Sequence, residues 1–153
     1  MKILYLSNID FRGCGYLRIS LPLLEELNKY EDVDLRVVGF QYFGQPHEYD
    51  YGIIPAATVK DSVQICGNLK VNWEYDWLVI ALDIPNINDV VVAMRNAFPD
   101  IKIAGIYPIE SAPLSPTWGG YIANLDAAFC ISLFGTQLSE EYAPNVKWIP
   151  MGS

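Results

Sequence analysis

The run Trp77-Leu78-Val79-Ile80-Ala81-Leu82, followed at once by Asp83, decides the fold. Six apolar residues without a charge are fewer than an ordinary helix needs, and they are typical of a strand buried on both faces of a parallel sheet. Parallel strands need long crossovers, usually helices, to join them. The run therefore predicts a buried strand of a parallel sheet, with helical segments on either side of it in the chain.

Apolar runs of the same kind recur along the chain and alternate with helical patterns. The further strands are predicted at 3–6, 35–40, 101–107, 127–133 and 146–149, with a weak extra strand at 53–54. Helices are predicted at 17–27, 59–66, 88–98, 117–125 and 135–142. This alternation predicts a single domain over residues 1–153, a three-layer α/β Rossmann-like fold with helices on both faces of a parallel sheet.

Two helix starts depend on individual residues. Pro22 has no N–H and is favourable only in a first helical turn, so the first helix is expected to begin one or two residues before it. The helix that ends at Pro99 is expected to be capped by Asn86 or Asn88. Residues 41–73 are rich in Gly and Pro, and loops with one helix are expected there.

Composition and charge exclude several classes of protein. The chain has 153 residues, 52% of them apolar, which suits one domain with its own core. The net charge is −8 and the ten Lys and Arg are scattered, so nucleic acid is not an expected partner. No signal peptide or membrane-spanning run is evident, and the three cysteines have no metal or redox spacing. A cytoplasmic protein with reduced thiols, Cys130 in the core, is expected.

Polar residues and glycines follow the predicted strands. Because ligands of open α/β sheets bind beyond the carboxyl ends of the strands, these residues should converge on one edge. In strand order they are Asn8, Asp10, Gly13 and Gly15; Gln41 to Gly44 with His47; Asp83; Pro108 and Glu110; and Ser132 with Phe134.

The glycine loop before the first helix has two interpretations. Gly13 and Gly15 could allow phosphate to approach the helix N-terminus, or could form only a tight turn. The dinucleotide fingerprint requires a third glycine, where this chain has Arg18, and an acidic residue after the second strand, where it has Gln41. A nicotinamide-dependent dehydrogenase is therefore disfavoured.

Three side chains that follow the predicted strands are candidates for ligand binding or proton transfer. Asp83 could accept hydroxyl protons or cap the next helix, which Pro85 suits. Glu110 lies between prolines that stiffen its loop. His47 is the only histidine and is expected to be a solvated loop residue. With one histidine, no GxSxG and no Walker A motif, neither a catalytic constellation nor a metal site is predicted.

A set of motifs in order along the chain resembles a known family. The segment Ile106-Tyr-Pro-Ile-Glu-Ser-Ala-Pro-Leu-Ser-Pro-Thr-Trp118 is followed by a strand ending in Ser132-Leu-Phe134-Gly135, and then by Val146-Lys-Trp-Ile149-Pro150-Met-Gly152-Ser153. With Gly13-Cys-Gly15-Tyr16-Leu-Arg18, these elements resemble the N-terminal half of GT-B glycosyltransferases of the retaining, glycogen-synthase-like group 1 type. Ser153 replaces the family's usual valine, and the aspartate after it is missing.

The resemblance implies how the site residues divide between two substrates. Gly13 and Gly15 would lie on the phosphate side of a nucleotide-sugar donor. The acceptor, a glycan or another hydroxyl compound, would be bound by a larger set comprising Asp83, Glu110, Tyr16, Arg18, Trp118, Ser132 and Phe134. The nucleotide sugar is a substrate in such enzymes, and neither a cofactor nor a metal is expected.

The resemblance also implies that this chain does not transfer sugar alone. The family's C-terminal donor-binding domain is not expected within residues 1–153, so a further domain or a partner chain would complete the enzyme. Its acceptor could lie on a membrane surface. A homodimer could form through an aromatic cleft face (Trp118, Tyr121, Phe134 and Trp148), although burial is expected for Phe134 and Trp148.

Two other functions remain open. The chain could be a non-catalytic Rossmann-like module for a nucleotide, a glycan or a protein. A flavodoxin-like or receiver domain fits less well. A receiver needs an acidic cluster after the first strand, an aspartate at the end of the third strand and a well-placed lysine, whereas this chain offers Asp83 alone and its Lys102 lies at the start of a strand.

Overall fold

A computed structural model describes residues 1–12 and 15–150. Within these residues twelve elements follow one another, with strands and helices alternating except where β3 directly follows β2. They are β1 (Lys2–Asn8), α1 (Gly15–Asn28), β2 (Asp34–Phe40), β3 (Ile53–Ala56), α2 (Val59–Asn72), β4 (Trp77–Ala81), α3 (Ile84–Ala97), β5 (Ile103–Tyr107), α4 (Pro116–Ala123), β6 (Ala127–Cys130), α5 (Leu133–Ser139) and β7 (Lys147–Trp148).

The strands form one seven-stranded sheet in the order β3-β2-β1-β4-β5-β6-β7, with every neighbouring pair parallel. The predicted α/β Rossmann-like fold is therefore confirmed. The chain proceeds from β1 outward to β3, then crosses to β4 and proceeds to the other edge. This reversal places a topological switch point between β1 and β4, where open α/β sheets bind ligands.

The run that predicted the sheet lies at its centre, since β4 pairs with both β1 and β5. Alternate side chains of a strand point to opposite faces, and the two faces carry separate cores. On one face Leu78 and Ile80 pack with Val90 and Met94 of α3. On the other face Leu24 of α1 packs with strand residues that include Tyr5 and Val37. Helices on both faces are thus confirmed.

The first helix differs from its prediction. It begins at Gly15, so Pro22 lies inside it rather than in its first turn. Pro22 removes one hydrogen bond to the preceding turn, but its ring is exposed and displaces nothing in the core. Ser20 and Leu24, on either side of it, are fully buried. Tertiary packing therefore maintains a helix that local preference would shorten.

The start of α3 also differs. Asp83 occupies the N-cap position and Pro85 the first turn, so the helix begins before the expected caps Asn86 and Asn88. Pro in the first turn favours this start, because its missing N–H would have no helical partner there.

The boundary between β6 and α5 lies earlier than predicted. The strand ends at Cys130, and Ser132 is the N-cap of α5, whose hydroxyl accepts from the Gly135 N–H at 2.9 Å. The sequence pattern placed this serine at the end of the strand. A capping serine after an apolar run is the signal that would have marked the helix start.

Residues 41–73 are more regular than expected. The weak strand at 53–54 is confirmed as β3 at the sheet edge, and the expected helix near 59–66 extends to Asn72. Thr58 caps it, accepting from the Asp61 N–H at 3.1 Å. No helix joins β2 to β3. Instead residues 42–51, which we call the aromatic strap, return across the sheet beside α1, where Tyr42 and Tyr51 join the core of that face.

The thiols agree with the expectation for core cysteines. Cys66 and Cys130 are buried and unpaired, and burial raises the pKa of Cys66 to about 12. Cys14 lies outside the described residues. None of the helices in the described part of the chain is long and apolar enough to cross a membrane.

Candidate functional site

Those predicted site residues that the structure describes lie at or beyond the carboxyl ends of the parallel strands, as expected. At the switch point β1 ends at Asn8, and the next residue after the β4 run is Asp83. The Asn8 side-chain amide donates to the Gln41 side-chain oxygen at 3.1 Å, which ties the loop after β1 to the loop after β2. This hydrogen bond therefore links two of the loops that form the carboxyl edge of the sheet.

The glycine turn leads into α1 at this switch point. Gly13 lies outside the described residues, so its predicted role remains a prediction. Gly15 is the first residue of α1 and is exposed, and a Cβ added there would meet nothing within 4 Å. The first turn of α1 contains no acidic residue. A helix N-terminus that begins with an exposed glycine and has no carboxylate in its first turn is a favourable position for an anion.

A buried chain of hydroxyl groups holds α1 against the sheet beneath this turn. Tyr5 donates to Ser20 at 2.9 Å, Ser20 donates to Ser7 at 3.1 Å, and Ser7 donates to the Ala81 carbonyl at 2.9 Å. The direction follows from the last link, because Ser7 uses its only proton there. Burial raises the pKa of Tyr5 well above its usual range, so the phenol remains a donor. The chain joins α1, β1 and β4 at the switch point.

This hydroxyl chain was not predicted from the sequence. A signal exists in the sequence, since Ser20 lies on the apolar face of α1, between Leu17 and Leu24. A serine in such a stripe needs a partner when buried, but its partner on β1 cannot be identified from local sequence.

Asp10 lies in the loop after β1 and is paired with Arg12. The Arg12 guanidinium contacts both carboxylate oxygens, at 3.0 and 2.9 Å. These hydrogen bonds hold the pKa of Asp10 below its usual value. The pair offsets a negative charge three residues before Gly13.

Asp83 does not cap α3 with its side chain. It has the extended backbone of an N-cap residue, but its carboxylate makes no bond to the helix backbone. One oxygen accepts from the Asn86 side-chain amide at 2.6 Å. The other oxygen has no hydrogen bond within the described chain, so this half-buried carboxylate can accept from a ligand hydroxyl.

Glu110 and Trp118 line a common pocket of about 310 Å³ between the end of β5 and the start of α4. Ser115 caps α4 by accepting from the Trp118 N–H at 3.1 Å, which places the indole in the first turn. Trp118 is 40% exposed, and Glu110 is exposed as well. The pocket therefore combines an aromatic surface with a carboxylate.

Ser132, Phe134 and Gly135 have different roles at the end of β6. The Ser132 hydroxyl is used in the cap of α5, and Phe134 is 46% exposed. A Cβ on Gly135 would lie 2.5 Å from the Cys130 sulfur and 2.9 Å from the Ile109 Cβ. Glycine is thus needed for α5 to pack closely against the loop after β5.

Two expectations of burial or exposure are wrong. Phe134 and Trp148 were expected to be buried, but they are 46% and 48% exposed, because they lie in the first turn of α5 and on the short edge strand β7. His47 was expected to be solvated, but it is half-buried. Its ring stacks on Tyr49 at a centroid distance of 5.4 Å, and its Nδ1 accepts from the Tyr49 N–H at 3.2 Å.

The remaining predicted residues lie on α1 and α4. Tyr16 and Tyr121 are half-buried, and Arg18 is exposed in the first turn of α1. No hydrogen bond among the described residues links Asp83 at the switch point with Glu110 in its pocket. Within residues 1–12 and 15–150, no group of three or more His, Cys, Asp or Glu side chains could hold a metal ion.

A doubly wound parallel sheet in this strand order defines a Rossmann-like domain. No protein-family model and no curated protein matches the sequence. The fold matches the UDP-GlcNAc 2-epimerase from Neisseria meningitidis bound to UDP-GlcNAc with a TM-score of 0.62 at 10% identity, covering 97% of this chain and 45% of that one.

Two further epimerase structures give the same result. For the UDP-GlcNAc 2-epimerase from Methanocaldococcus jannaschii the TM-score is 0.63 at 10% identity, with coverage of 97% and 45%. For another UDP-N-acetylglucosamine 2-epimerase the TM-score is 0.65 at 12% identity, with coverage of 95% and 47%. The chain spans less than half the length of these proteins. At such low identity the likeness establishes the fold, in agreement with the GT-B-like half that the sequence motifs predicted.

Proposed function

We propose that this chain is the Rossmann-like, acceptor-side domain of a two-domain enzyme that uses a nucleotide sugar, with glycosyl transfer to an acceptor hydroxyl as its reaction. The observation that carries the proposal is the start of α1 at the switch point, where Gly15 is exposed and the first turn has no acidic residue, with the helix held by the Tyr5–Ser20–Ser7 chain. The fold it shares with UDP-GlcNAc 2-epimerases, one of them bound to UDP-GlcNAc, supports a sugar nucleotide as the ligand.

On the donor side, Gly13 and Gly15 would allow a diphosphate to approach the backbone N–H groups of the first turn of α1. The partial positive charge of the helix N-terminus attracts the phosphate, and glycine leaves room for its oxygens. The Arg12–Asp10 pair limits the negative charge near this position.

On the acceptor side, Asp83 and Glu110 would accept hydrogen bonds from acceptor hydroxyls, with the Trp118 indole as an apolar surface beside them. Tyr16, Arg18 and Phe134 would line the same cleft, while Ser132 would act by fixing the start of α5. Orientation of the acceptor oxygen toward the anomeric carbon is the contribution expected of this half.

The donor's electrostatic clamp would belong to polypeptide outside these residues, so this chain is expected not to transfer sugar alone. In the reaction, the acceptor hydroxyl would form the new bond to the anomeric carbon as the bond to the nucleoside diphosphate breaks. The hydroxyl proton would leave with the diphosphate or a base, and retention of configuration follows from the family resemblance.

A second candidate is isomerisation of the sugar nucleotide, because all three structures compared are epimerases. The two reactions differ in their products. A complete enzyme that converts one UDP-sugar into its epimer, without any acceptor and without release of UDP, would favour the second candidate.

Binding of UDP by this chain tests the donor side. In Gly15→Asp the new carboxylate is favourable to the helix but repels phosphate, so folding should be retained while affinity for UDP falls about tenfold or more. Gly52→Asp is the matched control, because Gly52 is also exposed with nothing within 4 Å of its Cβ but lies at the amino end of β3. Equal UDP affinity in the two variants, measured by calorimetry, would count against the proposal.

A further inference from the structure

The pocket between the end of β5 and the start of α4 presents an indole that no other ring covers. Trp118 is 40% exposed, and among the described residues its indole stacks on no aromatic side chain. It lines the pocket of about 310 Å³ together with the apolar side chains of Pro113 and Leu114. This volume lies at the lower end of the range for small-molecule sites, so the pocket suits a ligand of about one ring in size.

The backbone that forms this pocket is fixed by the core and by α4. Ile109 is 6% exposed within the core, and Leu114 packs against the same core. Ser115 caps the first turn of α4, and a Cβ on Gly119 would lie 2.5 Å from the Tyr142 ring, so the helix is closely packed at this point. The site is therefore in place before a ligand binds, which lowers the entropic cost of binding.

Three polar groups in the pocket have unused hydrogen-bonding capacity. The Glu110 carboxylate and the Ser111 hydroxyl make no hydrogen bond within the described part of the chain. The Ser115 oxygen accepts from the Trp118 N–H at 3.1 Å, and its own proton has no acceptor among the described residues. The pocket therefore combines carboxylate acceptors with hydroxyl groups that can donate.

The charge and polarity of the pocket disfavour several other classes of ligand. Its described lining includes the Glu110 carboxylate and no cationic side chain, which disfavours phosphates and other anions. Quaternary ammonium ligands are bound by cages of several aromatic rings, and this lining contains one. A purely apolar ligand would cover the polar groups without replacing their bonds to water. A ring that carries both C–H groups and hydroxyls meets the whole lining.

We propose that this pocket binds a neutral saccharide, with the C–H face of a pyranose ring packed on the Trp118 indole. Its hydroxyls bond to Glu110, Ser111 and Ser115. The C–H groups carry slight positive charge and pack on the negative face of an aromatic ring, while hydroxyls form strong hydrogen bonds to a carboxylate. The identification of this saccharide as the acceptor rests on the proposed function, whereas its binding to the pocket requires no nucleotide.

The test is titration of the full chain with maltose, cellobiose and diacetylchitobiose, measured by calorimetry and by NMR of the tryptophan indole N–H resonances. At least one disaccharide should bind in the millimolar range or better and shift the Trp118 resonance. Trp118→Ala should weaken binding about tenfold, and Trp118→Phe, which keeps a smaller ring, about threefold. Trp148→Ala is the matched control, because Trp148 is 48% exposed but does not line this pocket.

Three results would overturn the inference. They are no binding of any of the three disaccharides at millimolar concentration, equal affinity of Trp118→Ala and the parent chain, or Trp118-dependent binding of tetramethylammonium or hexanol in place of a disaccharide. If Trp118→Ala does not fold, the Trp118 resonance of the parent chain decides: a shift on titration supports the inference, and an unchanged resonance contradicts it.

Affinity for UDP separates this inference from the proposed function. A chain that binds UDP through the start of α1 but binds no disaccharide would refute the saccharide pocket alone. A chain that binds a disaccharide at Trp118, with equal UDP affinity in Gly15→Asp and Gly52→Asp, would retain the saccharide pocket and count against the use of a nucleotide sugar.

Discussion

Replacement of Ser20 by alanine tests whether the buried hydroxyl chain holds α1 at the switch point. The substitution removes two hydrogen bonds, to Tyr5 at 2.9 Å and to Ser7 at 3.1 Å, and leaves the fully buried Tyr5 hydroxyl without its partner. Two lost hydrogen bonds at about 1 kcal/mol each, together with one unpaired buried donor, should lower the free energy of unfolding by about 2 to 3 kcal/mol. Because alanine has a better helix propensity than serine, about 0.5 kcal/mol of this loss is offset.

The assay is urea unfolding followed by circular dichroism, with a double-mutant cycle. Tyr5→Phe removes the group that Ser20→Ala would orphan, so the double variant should be more stable than the sum of the single effects predicts, by about 1 kcal/mol. The same variants should bind UDP less tightly if the position of α1 matters to the donor site. Full additivity, or a Ser20→Ala chain as stable as the parent, would refute the reasoning.

Three further predictions concern single contacts. Gly135→Ala should destabilise the fold by about 2 kcal/mol because its Cβ would clash with Cys130, whereas Gly120→Ala, with open space, should be neutral or stabilising in the same urea assay. Tyr51→Phe should leave stability unchanged or raise it by up to about 1 kcal/mol, since it removes an unpaired buried hydroxyl; a clear loss of stability would show that this hydroxyl has a partner. Arg12→Ala should raise the pKa of Asp10 toward its ordinary value, as measured by a carboxyl NMR titration. In the parent chain the contribution of Asp10 to stability is present above the ordinary aspartate pKa and is lost as the pH falls through the lowered pKa of the folded state. An unchanged titration midpoint in the variant would contradict the pairing of Asp10 with Arg12.

Local pattern was sufficient for most of the fold. The strand of WLVIAL, the alternation of strands and helices and the shared carboxyl edge were predicted correctly, because burial on both faces produces apolar runs that are visible in a short window. Boundaries were less accurate. Pro22 was misplaced because packing of Ser20 and Leu24 overrides a local helix breaker, and Ser132 was assigned to a strand although it caps α5.

The candidate site, like the fold, is partly predictable from local sequence and partly set by tertiary contacts. The placement of Asp83, Glu110 and Gly15 beyond strand ends was predictable from sequence, because strand ends in a parallel sheet share an edge whatever their separation along the chain; their roles stay predictions. That Asp83 leaves a carboxylate oxygen available, and that Glu110 shares a pocket with Trp118, depends on side-chain directions that no sequence window contains.

The Tyr5–Ser20–Ser7 chain and the aromatic strap depend wholly on contacts between segments that are distant in sequence. Phe11 meets Tyr42 and Tyr49 only because β1 and β2 are neighbours, and Ser20 meets Ser7 only because α1 folds back over β1. Periodicity, caps and turn residues are local properties, so a single sequence specifies the Rossmann-like order of elements. Which hydroxyls pair, which rings stack and which carboxylates remain available are set by close packing in three dimensions.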